Sequence, residues 1–400
     1  MWCHRAGVAQ LAERQPSKLH VASSNLVSRS TSSSLDPRAS VAAAAATLRA
    51  ALAATVPVSP ALAAAAAALS ASYRSPAGVP TAARHVADPR MAAAYAAARM
   101  PATFTATALA MTEAARSLPE FAPHTLLDVG AGTGAAAWAA RAVWPTIRDL
   151  VVVDREPAMI ELGRTVATRG DPGGPLASAT WRTERIGASA LAPADVVSAA
   201  YLLGELDDAE RRVVVDELWA ATLGVLVIVE PGSPAGFQRI LAARADLIAA
   251  GATIAAPCPG QLPCPVTGSS WCHFLARVER SPLHRRAKAG TRSWEDEPYS
   301  YVVATRLVAG PAPRAVLGRP RHGPGRVELR ICAADGRIQR RIVSRREGTA
   351  YRAARDVAWG DRIPPEIAAR PPDAADPADP AGPAGSPAIP DTDGRPPSGG

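Results

Sequence analysis

The chain is 400 residues long, with a formal net charge of +8, 48% hydrophobic residues and 20% charged ones. At roughly 100–200 residues per domain this leaves room for two or three domains and a sizeable core. The five cysteines are too few for a disulfide scaffold of this length. No stretch reads as a secretory signal, so the expectation is a cytoplasmic protein.

Residues 7–17 and 23–30 read like the translation of a tRNA gene, so residues 1–40 are expected to be an unstructured arm or a misassigned start. The Ala-rich stretch 41–72 carries Arg49, Pro57 and Pro60, and alanine adds little transfer free energy, so no membrane span is expected. Residues 41–120 read as a helical lead-in interrupted at Pro57, Pro60, Pro76, Pro80 and Pro89. Its best helix starts near Arg90 and contains Tyr95 and Arg99. Pro101 is expected to bend or restart it before residues 103–117.

Between residues 121 and 250 the pattern alternates. Thr125–Val129 (TLLDV) is a short apolar run ending at glycines, and Ala135–Val143 follows as a helix. A second buried strand at 150–153 leads into a helix from Pro157. Strands at 195–200 and 225–229 flank a helix at 209–221, and a helix at 237–250 follows. This order predicts an α/β fold: a Rossmann-like parallel sheet covered on both faces.

From 251 to 362 the texture changes. Residues 256–292 are rich in Cys, Pro, Arg and His and read as an irregular insertion; 299–307 is strand-like. Residues 327–332 and 337–344 flank Asp335-Gly336, a strong hairpin signal. Eleven of the 38 prolines lie between Pro364 and Pro397, so residues 363–400 lack the apolar surface to offset ordering entropy and are expected to be disordered.

Asp128-Val-Gly130-Ala-Gly132-Thr-Gly134 lies where a strand meets a helix, so its glycines permit a tight turn beside free helix N–H groups. Asp154 ends the next strand 26 residues after Asp128, where a carboxylate can take both hydroxyls of a ribose. A glycine-rich turn without a ligand is the plainer reading. The Asp-x-Gly-x-Gly-x-Gly form resembles the S-adenosylmethionine (SAM) loop of Rossmann-like methyltransferases over about residues 125–230. That likeness implies that Asp128, Gly130, Gly132 and Gly134 bracket the methionine part and that Asp154 binds the ribose. The segment after the fourth strand, Tyr201-Leu-Leu-Gly-Glu205, lacks the Asn/Asp-Pro-Pro-Tyr/Phe motif of amino-methylating enzymes. No cysteine lies between Trp138 and Pro257 to serve a cytosine-C5 methylation.

Cys258, Cys264, Cys272 and Cys332 are separated by five, seven and 59 residues, unlike a zinc ribbon, a Cys2His2 finger or the common ferredoxin run. Four thiolates suit 4Fe–4S or zinc, and spacing does not choose between them. Buried free thiols are the alternative. His273 could replace one ligand, but a contact supporting a ligand, or one to RNA, suits it better.

The positive charge is regional: residues 251–362 hold 20 lysines and arginines against 9 aspartates and glutamates. Arg277, Arg280 and His284 have the spacing of one helical face, followed by Arg285, Arg286 and Lys288. Such a face neutralises phosphates without reading sequence, and RNA is the expected partner, not DNA or a membrane. A solvated face without a partner is the alternative. Glu295–Glu297 reads as an acidic counter-patch restraining these cations.

Several segments recur together in one family: Tyr95-Ala-Ala-Ala-Arg99-Met-Pro-Ala-Thr-Phe, the loop 127–134, Glu230-Pro-Gly, Cys258-Pro…Pro-Cys264-Pro, Trp271-Cys-His-Phe and Glu295-Asp-Glu-Pro-Tyr-Ser-Tyr301. Over about residues 82–361 the chain resembles the methyltransferase-like small-ribosomal-subunit assembly factors of mitochondria and their bacterial relatives, the Rsm-type family. The resemblance implies binding to small-subunit rRNA or a pre-ribosome during maturation. It also implies a 4Fe–4S cluster on Cys258, Cys264, Cys272 and Cys332 beside a SAM-binding fold. An active SAM-dependent rRNA methyltransferase, or a small-molecule methyltransferase with structural zinc, are the alternatives.

Overall fold

The computed structural model describes residues 37–74, 88–258, 260–288, 291–310, 314–333, 335–368 and 374–375. The expected N-terminal arm up to residue 36 and most of the Pro-rich tail lie outside them. Helices α1 (Pro37–Thr55) and α2 (Pro60–Arg74) precede the long helix α3 (Pro89–Ser117). Asp88 caps α3 by accepting from the Arg90 N–H, with Pro89 at its first position.

Pro101 lies inside α3, and the helix runs through it. The helix therefore does not restart at Pro101. A proline costs about 3 kcal/mol in a helix interior, but Met100, Ala102, Phe104 and Met111 are all buried here. Tertiary packing of the whole helix outweighs one lost backbone bond.

Then follow β1 (Thr125–Val129), α4 (Ala135–Val143), β2 (Asp149–Asp154), α5 (Pro157–Gly170), β3 (Thr180–Thr183), β4 (Ala194–Ala200), α6 (Asp208–Ala221), β5 (Thr222–Pro231) and α7 (Pro234–Ala249). Next come β6 (Thr253–Ala256), β7 (Phe274–Glu279), the short α8 (Pro282–Ala287) and β8 (Trp294–Thr305). The main sheet has the order β3-β2-β1-β4-β5-β8-β6. Strands β1 to β5 pair in parallel, and β8 runs antiparallel to β5, β6 and β7. This is a Rossmann-like fold with a mixed sheet. Successive residues of each strand serve opposite faces: Leu126, Val196 and Val227 join one buried cluster with α1, α3 and α4, while Leu127, Val197 and Ile228 join the other with α6 and α7.

The stretch 256–292 is more regular than its composition suggests. Phe274–Glu279 alternates buried and open positions as a true strand, pairing with the first half of β8. Beyond it a second sheet is built from β9 (Ala315–Val316), β10 (Arg321–Gly323), β11 (Arg326–Cys332), β12 (Ile338–Ser344) and β13 (Ala374–Ala375). The expected hairpin is β11–β12, closed at Gly336 with φ +73°. Helices α9 (Thr349–Asp356) and α10 (Pro365–Ala368) cover its apolar face through Ala354 and Ile367. Among the described residues no single helix is long and apolar enough to cross a membrane.

Candidate functional site

The strand order reverses between β1 and β4, the place where open α/β sheets bind ligands beyond their carboxyl ends. The loop after β1 meets the segment after β4 there. Gly130, at φ +63°, leaves no room for a side chain: a Cβ would stand 2.6 Å from Leu202 Cδ1. Gly134, at φ +79°, is as tightly faced by the Trp181 ring. A cavity of about 480 Å³ opens above the loop, lined by Gly130, Gly132, Asp154, Met159, Tyr95 and Tyr201 among others.

Asp154 lines this cavity and braces it. Its Oδ2 accepts from the Gly132 N–H at 2.7 Å and its Oδ1 from the Glu156 N–H at 2.9 Å, while burial pushes its carboxyl up. Asp128 lies elsewhere. It is fully buried beneath the loop, accepting from Ser198 Oγ at 2.8 Å and the Ala137 N–H at 3.2 Å, and burial pushes it up to about 7. The expectation that Asp128 touches a cofactor is therefore corrected: it ties β1 to β4 and to the start of α4, out of reach of the cavity.

The cavity wall carries six carboxylates (Asp154, Glu156, Glu184, Glu205, Glu210, Glu217) against the guanidiniums of Arg155 and Arg185. Such a wall repels a pyrophosphate and attracts a cation. Burial pushes Glu205 up to about 7, with Arg155 at 3.3 Å opposing the shift.

Sequence reasoning missed Tyr201. It stands just past β4 at φ +60°, a strained conformation for a bulky residue and one that gathers at functional sites. Its hydroxyl donates to Glu297 Oε1 at 3.1 Å, and Arg99 grips the same carboxylate with two bonds of 2.7 and 3.0 Å. Arg99 and Glu297 lie in two of the segments that carry the family resemblance. The only local signal was that co-occurrence, because the pairing spans 198 positions.

A second cavity gathers Cys258 and Cys264 from the loop after β6, Cys272 from just before β7 and Cys332 from the end of β11. All four are free thiols. Burial pushes Cys272 well up and its three neighbours push it further; burial likewise pushes Cys332 up to about 12. Arg244 was not foreseen. It is a buried guanidinium in the apolar stripe of α7, it donates to the carbonyls of Gly260 and Leu262, and it opposes the upward push on Cys258. A charge at helical spacing among Phe237, Ile240, Ala243 and Leu247 was its sequence signal. Among the described residues no three of His, Cys, Asp or Glu are placed to hold one metal ion. His273 is stacked on Trp271 and edge-on to Trp359, and burial keeps its ring pKa low.

The expected cationic helix face is not formed. Arg277 is on β7 and Arg280 lies after it, while α8 holds His284, Arg285 and Arg286. Glu295 gathers Arg280 (2.7 Å), Lys288 (2.8 Å) and His284 (3.1 Å) around one shielded carboxylate. Burial works against its ionisation, yet the His284 hydrogen bond and the Lys288 charge hold it well below the usual range. His284 is fully buried, so the expectation that it faces RNA is corrected, while Arg280 and Lys288 are half-buried and each is paired with Glu295. Arg277 is exposed, pairing with Asp296 and lying 4.0 Å over the Trp294 ring; Arg285 is half-buried and Arg286 exposed.

Solved structures that the chain matches in part include magnesium protoporphyrin IX methyltransferase from Synechocystis with bound SAH (TM-score 0.35, 13% identity, covering 52% of this chain and 84% of that one). An O-methyltransferase family protein from Burkholderia thailandensis gives TM-score 0.34 at 18% identity, covering 60% and 67%. Among curated relatives, the human mitochondrial ribosome assembly protein METTL17 is 34% identical over 291 residues, 68% of this chain and 62% of its own. An Rsm22-cox11 tandem protein of Schizosaccharomyces pombe, also mitochondrial, is 26% identical over 60% of this chain and 38% of its own. The chain thus spans less than two thirds of these relatives. Their mitochondrial naming overturns the cytoplasmic location expected from sequence, which had rested on a missing secretory signal, a feature silent about organelles. The family model for the mitochondrial small ribosomal subunit protein Rsm22 matches residues 89–364, well over half the chain, and on that match the chain belongs to the Rsm22 family.

Proposed function

We propose that the chain is a small-subunit ribosome assembly factor that holds SAM above the 130–134 loop, carries a 4Fe–4S cluster on four cysteines, and docks on small-subunit rRNA. The observation carrying this reading is the meeting of Cys258, Cys264, Cys272 and Cys332, from separated parts of the chain, around one cavity. Their thiols are kept protonated by burial, so a bound metal would displace protons and gain four thiolates. When bound, the cluster would staple the loop 258–272 to β11. Arg244 would hold positive charge beside the thiolates, and Ser300 Oγ, donating to the Cys272 carbonyl at 2.8 Å, would steady the third ligand.

Protein purified anaerobically is expected to be brown, with absorbance near roughly 400 nm from thiolate-to-iron charge transfer and with iron and sulfide in equal amounts. Cys272→Ser should lose the colour. Colourless protein with stoichiometric zinc would reject the cluster.

For SAM, the support is the glycine loop, the Asp154 brace and the acidic wall, which suits a sulfonium and an ammonium group. Asp154→Asn is expected to weaken binding of S-adenosylhomocysteine by about 10–100-fold in calorimetry, the loss of a charged hydrogen bond. Unchanged affinity would remove the nucleoside reading. One observation favours an active rRNA methyltransferase as a second reading: Glu205, with a pKa near neutrality on the cavity wall, is suited to general-base work. A modification map of small-subunit rRNA that does not change on deletion of the gene would leave binding without chemistry.

A further inference from the structure

Among the described residues that line the cysteine cavity, Arg244 is the one charged side chain; the rest of the wall is thiol, apolar or uncharged. Arg244 is only 6% exposed, and its Nε has no hydrogen-bond partner among the described residues. Asp246, the lone acid of α7, pairs instead with Arg212 on α6 at 3.7 Å. One terminal nitrogen of Arg244 donates to the carbonyls of Gly260 and Leu262 at 2.9 and 2.8 Å, in the loop between Cys258 and Cys264. That loop has a second anchor without charge: Gln261 exchanges bonds of 3.0 and 3.2 Å with the Ile254 backbone. Holding the loop therefore does not call for a cation. A guanidinium keeps its proton in a protein, so a buried one without a carboxylate is costly until an anion comes within reach. Free thiols are neutral, so the anion must come with whatever turns them into thiolates. The charge of Arg244 is felt at Cys258, Cys264 and Cys332, where it favours the thiolate.

We propose that Arg244 is the counter-charge of this cavity: it offsets part of the negative charge that four thiolates bring to a bound cluster, retains the cluster and holds its reduction potential up. The inference rests on the cluster reading above and assigns a role in it to a residue that is not a ligand. Four thiolates outweigh the positive charge of a 4Fe–4S core, so the loaded site is anionic. Each reduction takes one electron from an outside donor, forms no new bond and makes the site more negative. A fixed cation in the same low-dielectric wall favours that reduced state, so its removal moves the midpoint potential downward.

The test uses the full-length protein, purified anaerobically and titrated with dithionite in the presence of redox mediators, following the cluster absorbance near roughly 400 nm. Arg244→Gln keeps a donor for the loop carbonyls and removes the charge. Its midpoint potential is expected to lie below that of the wild type. Its iron should also pass to a chelator about tenfold faster, the low end for losing a contact that supports a metal ligand. Arg244→Lys keeps the charge and loses the planar fork, so its potential should stay near the wild-type value. Should the glutamine variant fold poorly, Arg244→Met, similar in length and apolar, gives the same downward shift. Arg212→Gln, exposed on α6, should leave both readings unchanged. A glutamine variant with the wild-type potential overturns the counter-charge and leaves Arg244 as an anchor of the loop. A lysine variant that shifts as far as the glutamine one does the same. Wild-type protein holding zinc, which has no redox couple, overturns the cluster reading and this inference together.

Discussion

Arg239→Ala is expected to destabilise the fold by about 3–5 kcal/mol in denaturant titration, the cost of stranding a buried charge. Glu230 is fully buried at the end of β5 and meets Arg239 Nε at 2.6 Å; burial alone would push its carboxyl up, and the guanidinium opposes that. Glu230 also accepts from the Leu203 N–H at 2.9 Å, which pins the turn holding Leu202 and Glu205 on the cavity wall. The loss should therefore reach the nucleoside cavity and weaken ligand binding along with stability. Replacing both partners, Glu230→Leu with Arg239→Leu, should cost less than Arg239→Ala, because no ion is left unpaired. A double variant as unstable as the single one would mean that packing, and not the pair, sets the cost.

Asp128→Asn is expected to make the protein more stable at neutral and alkaline pH, by an amount that vanishes in acid. Burial pushes the folded-state pKa of Asp128 up to about 7, against 3.8 for an unperturbed aspartate. Between those values the folded state holds a proton that the unfolded state has released, so stability falls as pH rises through this window. Below about pH 4 both states are protonated and nothing is lost; above about pH 7 the folded state must carry a buried carboxylate. Asparagine stays neutral throughout, can accept from the Ala137 N–H and can donate to Ser198 Oγ. Its advantage should grow on the order of 1.4 kcal/mol per pH unit across the window, reaching a few kcal/mol. A stability difference that does not vary with pH would show that Asp128 ionises in the folded protein as it does in water.

These two acids illustrate how far local pattern reaches. The strands from Thr125 to Pro231 and the helices between them follow from apolar runs, glycine punctuation and 3.6-residue spacing, all properties of a few neighbouring residues. The glycine loop was legible for the same reason. Asp128 sits in that loop with the right residue type, yet whether it faces a ligand or the interior depends on Ser198, which arrives from 70 positions away.

Composition misled where its weight was averaged. A region of Cys, Pro and Arg read as irregular, but Phe274–Glu279 alternates cleanly, pairing edge to edge with β8 while Phe274, Ala276 and Val278 are buried on one face. Net regional charge was likewise readable, while its disposition was not: Glu295 claims three of the six expected cations. The four cysteines could be counted along the chain, and their convergence on one cavity came from the docking of the second sheet against the loop after β6. Periodicity, turns and residue supply act over a turn or a strand and are written in order. Charge neutralisation and burial are summed over all neighbours in space, so they exist only once distant segments have met.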